Sequence, residues 1–578
     1  MALLAWASHS TVDSLWSVVY GPPNIRHDGQ SVHLINSAGS QEGPTLRNFI
    51  RLKHSLAFLV ALMAGASLLA ACSSAPSASS TPTPKVQNGG TLNIGIPTAP
   101  EALDPSTEAS FVGHWVFANM CYGLYGFSVK NQVVPVLATG LPTISDGGLL
   151  YTIHVRQGVR FNDGTAMTAE AVKTSLVRDK TLPTSARAAA LADISSITVV
   201  NKYTVQLRLS QVDAPLTSIL ASRSGIVMSP TALAREGANF GNDPVCVGPF
   251  SFQSRPSLDQ INLTRSKYFY GKKPAVQQVI YHVITDPATC YSDLLSGAIN
   301  VAECLAPNDV KLLDSNSAYR VQQVTSDGYS MIVINVGNVA GSLKKTYGTA
   351  DNPLAKYPVL RQALAMSINS KTINNVVYDG TMVPGCSPIP PSSPYFTAVP
   401  CPKYDPAAAK KLVEQSGAPT PVDLTLMVDT GTLNVEEGEV IADEAKAAGF
   451  NITVQPTEGT TAAANSESGN FEMYLAGWSG RIDPDQNISI WYTPGSALNF
   501  SGADYPTLNT LLAEGRGTEN VAQRKAIYAK VVKYLDQKED SIYLMYTTYQ
   551  IAYPKSVVGL VFDPNGNLML AGAGIKAG

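Results

Sequence analysis

The chain has 578 residues, of which 15% are charged, and a net charge of −3. No basic surplus points to nucleic acid, and no apolar run after Cys72 reaches the roughly 20 residues that a spanning helix needs. With 45 glycines and 38 prolines the composition fits a secreted, loop-rich α/β protein, and the roughly 500 residues after Cys72 are too many for one ordinary core, so two or three lobes are expected.

Residues 1–45 do not look like part of a secretion signal, which begins close to its basic region. They read as an upstream extension from a mis-assigned start, or as a disordered leader, and are set aside from the fold. Residues 46–71 read as a lipoprotein signal peptide. Arg47, Arg51 and Lys53 supply its basic region, and residues 55–69 (SLAFLVALMAGASLL) its apolar one. Leu69-Ala70-Ala71-Cys72 resembles a bacterial lipobox, in which the cysteine is acylated and becomes the mature N-terminus. A lipid on Cys72 would hold the chain on the extracytoplasmic face of a membrane. Residues 72–85, rich in Ser and Pro, read as a flexible tether.

Residues 89–96 (GGTLNIGI) predict a buried strand entered from a turn. Residues 150–156 alternate, placing Tyr151, Ile153 and Val155 on one face. Asp163-Gly164 then turns the chain, and Thr168 is placed to cap a helix starting at Ala169. Pro358 suits the first turn of a helix whose Leu360, Ala363, Leu364 and Ile368 form one stripe. Residues 422–427 read as a strand, residues 434–448 as a helix stopped by Gly449, and residues 450–454 as the strand after it. Ile527, Tyr528, Val531, Val532 and Leu535 mark a late helix. Seven cysteines leave six if Cys72 is lipidated, an even number that favours disulfides outside the cytoplasm. Count alone leaves the pairing open; the short proline-rich loop favours Cys386–Cys401, then Cys290–Cys304, with Cys121–Cys246 remaining. The cysteine spacings match no zinc pattern, and after Cys72 only His114, His154 and His282 remain, so neither a metal nor a cofactor is expected.

A family becomes visible in the order of these segments. Residues 89–96, Leu103-Asp104-Pro105, residues 151–172 (YTIHVRQGVRFNDGTAMTAEAV), Val247-Gly248-Pro249-Phe250, residues 358–368 (PVLRQALAMSI), residues 404–417 (YDPAAAKKLVEQSG) and the late helix resemble the family 5 solute-binding proteins of ABC importers. The resemblance implies a two-lobed, type II periplasmic-binding-protein-like fold with mixed α/β sheets, an extra domain and a hinged cleft. Carried over, lobe I comprises residues 86–126, 246–330 and 541–578, domain II residues 127–245, and lobe III residues 331–540. Such a chain captures a small-molecule ligand between its lobes, closes, and presents it to importer permease subunits, as a monomer and without chemistry on the ligand.

The same resemblance points to residues 476–487 (AGWSGRIDPDQN) as the segment facing ligand. In the family's peptide binders the third residue after the matching tryptophan is an aspartate that pairs with the peptide's ammonium. Here that position holds Arg481, which would repel an ammonium and attract a carboxylate or phosphate. Arg481 could instead pair with Asp483 or Asp485 and stiffen the loop, and Asp483 could serve as a negative anchor. Trp478 and Trp491 are stacking candidates or core residues, as are Phe111, Trp115 and Tyr122 near the lobe I edge. Asp429 and Thr430, between a strand and a helix, are candidate polar contacts. Residues 483–487 begin like a calcium loop, but Ile488 and Pro494 stand where glycine and glutamate are needed. The ligand expected is peptide-like, opine-like or sugar-like, and anionic if Arg481 selects it. A secreted hydrolase is the competing class, yet neither G-x-S-x-G nor H-E-x-x-H occurs; a ligand-sensing receptor is the third.

Overall fold

The computed structural model describes residues 85–577. The extension, signal peptide, Cys72 and tether to residue 84 lie outside the described residues. An eleven-stranded mixed sheet is the frame. One half is built on Thr91–Ile96, parallel to both Gln278–Val283 and Val301–Ala302, and is extended by the antiparallel strands Gln260–Arg265 and Phe250–Ser257. The other half places Val422–Asp429 between Phe450–Thr457 and Met473–Trp478, parallel to both. Two long strands, Tyr319–Ile334 and Ser541–Pro554, run antiparallel through both halves. Their pairing slips between Thr325 and Tyr329, so residues 326–328 form the break between one half and the other.

Each side buries its own apolar sets. Along the long strand Tyr329, Met331 and Val333 enter one cluster, while Ile332 and Ile334 enter another on the opposite face. That is the two-residue period of a strand covered on both sides. A separate four-stranded antiparallel sheet spans Thr143–Ser145, Leu150–His154, Thr204–Leu209 and Ile194–Asn201. Its Tyr151 and Ile153, with Val155 just beyond, are buried as the alternation predicts, in one core shared with the Thr91–Ile96 half.

Local signals are kept with adjustments. The helix after the Asp-Gly turn is Ala169–Thr181, but Thr168 makes no side-chain capping bond. Pro358 sits just before the helix Val359–Ser367. The helix expected over 434–448 spans Thr432–Lys446, and the late one runs Val521–Lys538. Asp405 caps Pro406–Gln415 by accepting from Ala408 N at 3.0 Å. Three disulfides join Cys121 to Cys246, Cys290 to Cys304, and Cys386 to Cys401. The two sides also meet away from the long strands: Ala214 N donates to Arg516 O (3.0 Å) and the Tyr151 hydroxyl to Glu519 Oε1 (2.8 Å).

Candidate functional site

The strand Met473–Trp478 leads into a short loop, residues 479–483, that passes close to Asp327. Gly480 makes this possible: its φ is +76°, and a Cβ there would lie 2.1 Å from the carbonyl carbon of Asp327. Asn487, one turn into the helix Pro484–Tyr492, then clamps the loop. Its Oδ1 accepts from Trp478 Nε1 (2.9 Å) and from Arg481 N (2.6 Å), and its Nδ2 donates to Arg481 O (2.8 Å). The Arg481 guanidinium lies 4.8 Å from the Trp478 ring centroid and, among the described residues, donates to Ser479 Oγ (3.0 Å) and Gly480 O (2.5 Å).

Facing this loop is a cavity of about 300 Å³, at the small end of ligand sites. Trp478, Arg481, Ile482 and Leu498 line it from one side; Ser110, Phe111, His114, Arg187 and Arg223 line it from the other. Thr547, Tyr549 and Asn565 supply the floor. Phe111 stacks on Tyr549 with centroids 4.6 Å apart.

Arg187 and Arg223 are both about nine-tenths buried. They are held by the main chain that leads into the helix Phe111–Met120: Arg187 Nη2 donates to Glu108 O (2.6 Å), and Arg223 Nη1 to Ser110 O (2.6 Å) and Glu108 O (3.1 Å). Burial, then the other arginines, lowers Arg223. Arg187 falls to about 10 through burial, with Arg481 adding to the fall and Asp179 opposing it. Burial first, then Arg223, Arg481 and Arg187, holds His114 well below the usual imidazole range, so it is neutral at pH 7. Among the described residues, no aspartate or glutamate lines the cavity. The arrangement offers cationic donors, aromatic faces and a neutral imidazole, and no base or nucleophile with an activating partner.

The sequence-derived candidates divide. Arg481, Trp478 and Phe111 line the cavity; Trp115 backs Phe111 edge-on at 5.3 Å. Trp491 is core, edge-on behind Trp478 at 5.8 Å. Tyr122 packs on Phe269 outside the cavity. Asp483 is no ligand anchor: it is buried and gripped by Arg524 through bonds of 2.5 and 2.7 Å, and it caps the helix Pro484–Tyr492. Asp485 is likewise taken, by Arg516 at 2.7 Å, so Arg481 pairs with neither. Asp429 accepts from Tyr474 Oη at 3.2 Å, and Thr430 is exposed; neither lines the cavity. Among the described residues no cluster of metal-binding side chains is found. His114, Arg187, Arg223 and Tyr549 carried no local signal, being far apart in sequence and joined only by the fold.

The family described as bacterial extracellular solute-binding proteins, family 5 (middle), matches residues 132–499. The glutathione-binding protein GsiB of Salmonella paratyphi A is 25% identical over 487 residues, 82% of this chain and 92% of that protein. DppA of Helicobacter pylori, solved with the peptide STSA, superposes with a TM-score of 0.71 at 21% identity, over 85% of this chain and 99% of its own. NikA of Brucella suis, solved with Fe(III)-EDTA, gives a TM-score of 0.74 at 18% identity, over 84% and 100%.

Proposed function

The chain belongs to the bacterial extracellular solute-binding proteins of family 5, a family of binders rather than enzymes, and we propose that it captures a small anionic, peptide-like solute and delivers it to the permease of an ABC importer. The single observation that carries the charge of the ligand is the cavity lining: three arginines and no carboxylate. The relatives support the size and class, since one is named for glutathione and another holds a short peptide. In this reading Trp478, Phe111 and Tyr549 pack against the apolar part of the solute and Arg481 holds its anionic end. The jaws of the clamshell are residues 86–126, 246–330 and 541–578 on one side and 331–540 on the other, with 127–245 riding on the first. Only a solute that touches both sides shifts them toward closure.

Native mass spectrometry of the purified protein is the direct test. A co-purified molecule of negative net charge is expected; a retained cation would overturn the reading. The same proposal puts the protein on the outer face of the membrane by a lipid on Cys72, working as a monomer. Cys72→Ser should leave the protein in the soluble fraction, and continued pelleting with membranes would point to another anchor.

A further inference from the structure

Resting on that reading, we propose that the cavity selects for charge number as well as sign: its solute carries two separated negative groups, one held by Arg481 and the other by Arg187 with Arg223. The inference begins with how this fold treats its other buried arginines. Arg524 is paired with Asp483 and Arg361 lies 3.4 Å from Asp540. The buried arginines at the cavity are treated differently. Arg187 and Arg223 lean on the main-chain carbonyls of residues 108–110, which accept hydrogen bonds but carry no net charge. The Nε of Arg187 is shut off from solvent and has no hydrogen-bond partner among the described residues.

The carboxylates behind the wall do not fill this role. Glu108 accepts from Ala102 N (2.6 Å) and Ser110 N (2.7 Å), and Asp179 accepts from Ser106 Oγ (2.5 Å). Both carboxylates ease the charge of Arg187 without accepting a hydrogen bond from it, Glu108 bonding to it only through its main-chain oxygen. Arg481, on the opposite wall, also donates only to neutral oxygens. Guanidinium groups keep their proton, so the mutual repulsion of the three is relieved either by an incoming anion or by parting the walls. A single carboxylate on Arg481 leaves Arg187 and Arg223 facing the solute with hydrogen bonds to main-chain carbonyls and to no carboxylate among the described residues. A second one on the far wall satisfies both sides and ties them together. Between the two lie the Phe111–Tyr549 stack and Trp478, which suit an uncharged middle.

Calorimetry with three dipeptide-sized probes of nearly equal shape tests this: N-acetyl-Glu-Gly (two negative charges), N-acetyl-Gln-Gly (one) and Gln-Gly (a zwitterion). The dianion should bind at least about tenfold more tightly than the monoanion, a gap of about 1.4 kcal/mol, and the zwitterion should give no heat. Arg187→Gln should bring the first two probes to similar affinity, while Arg187→Lys should keep most of the difference. Equal binding of dianion and monoanion by the wild-type protein would end the charge-number inference and leave the anion reading standing. Tightest binding of the zwitterion would end both. Silence from all three probes at millimolar concentration would overturn the inference as stated for a solute of this size. The wild-type comparison stands even if a variant fails to fold.

Discussion

Glu303 is the sharpest single-residue anomaly outside the cavity. Both carboxylate oxygens are shut off from solvent and unpartnered among the described residues, although the residue as a whole is only half-buried. Burial pushes its carboxyl up to about 8. The folded pKa is raised above the unfolded one, so the stabilising contribution is full below about pH 4.3 and is lost as pH rises through the folded value. Glu303→Gln, neutral at every pH, should therefore gain on the wild type by a few degrees in Tm between about pH 5 and pH 9. A constant offset across that range in thermal melts would refute it. Glu303 is also a lesson in legibility. Nothing in its neighbours marks it as buried, whereas Arg481 stood out because its position after Trp478 gave it a definite place. Asp483 has the right type and spacing for an anchor, but its partner Arg524 lies on a distant helix and that pairing leaves no local signal.

At the scale of elements, the Asp163-Gly164 turn and the strand alternation were legible because their signals are local. The alternation from Leu150 through Val155 needed no tertiary information. Thr168 shows the limit: it occupies the capping position, but its hydroxyl makes no bond to the helix. The loop that carries Trp478 and Arg481 depends on a single amide, Asn487, which binds three groups of it. Asn487→Ala leaves the Trp478 indole N–H and the Arg481 amide without partners. A loss of about 2 kcal/mol in stability is expected from this, together with ligand binding weakened by more than about tenfold. Calorimetry beside a urea titration separates the two effects, and unchanged affinity would show that the loop holds its shape without the clamp.

For the molecule as a whole, the order of motifs along the chain carried the family resemblance, and that resemblance implied two lobes. The place where the sides touch was not legible, because Tyr151 and Glu519 belong to segments that share no pattern. Their hydrogen bond can form only when the sides meet, and it touches no cavity-lining residue. Tyr151→Phe should therefore raise the ligand dissociation rate roughly fivefold with little change in association, as stopped-flow would read. An unaltered dissociation rate would remove this contact from the closing motion.

The Cys121–Cys246 bridge ties the end of the helix Phe111–Met120, whose opening residue walls the cavity, to the segment that enters the strand Phe250–Ser257. Such a crosslink forms and survives where thiols are oxidised, not in a glutathione-rich interior. A chain whose thiols are reduced thus lacks this brace, so the wall is held firmly only after oxidation.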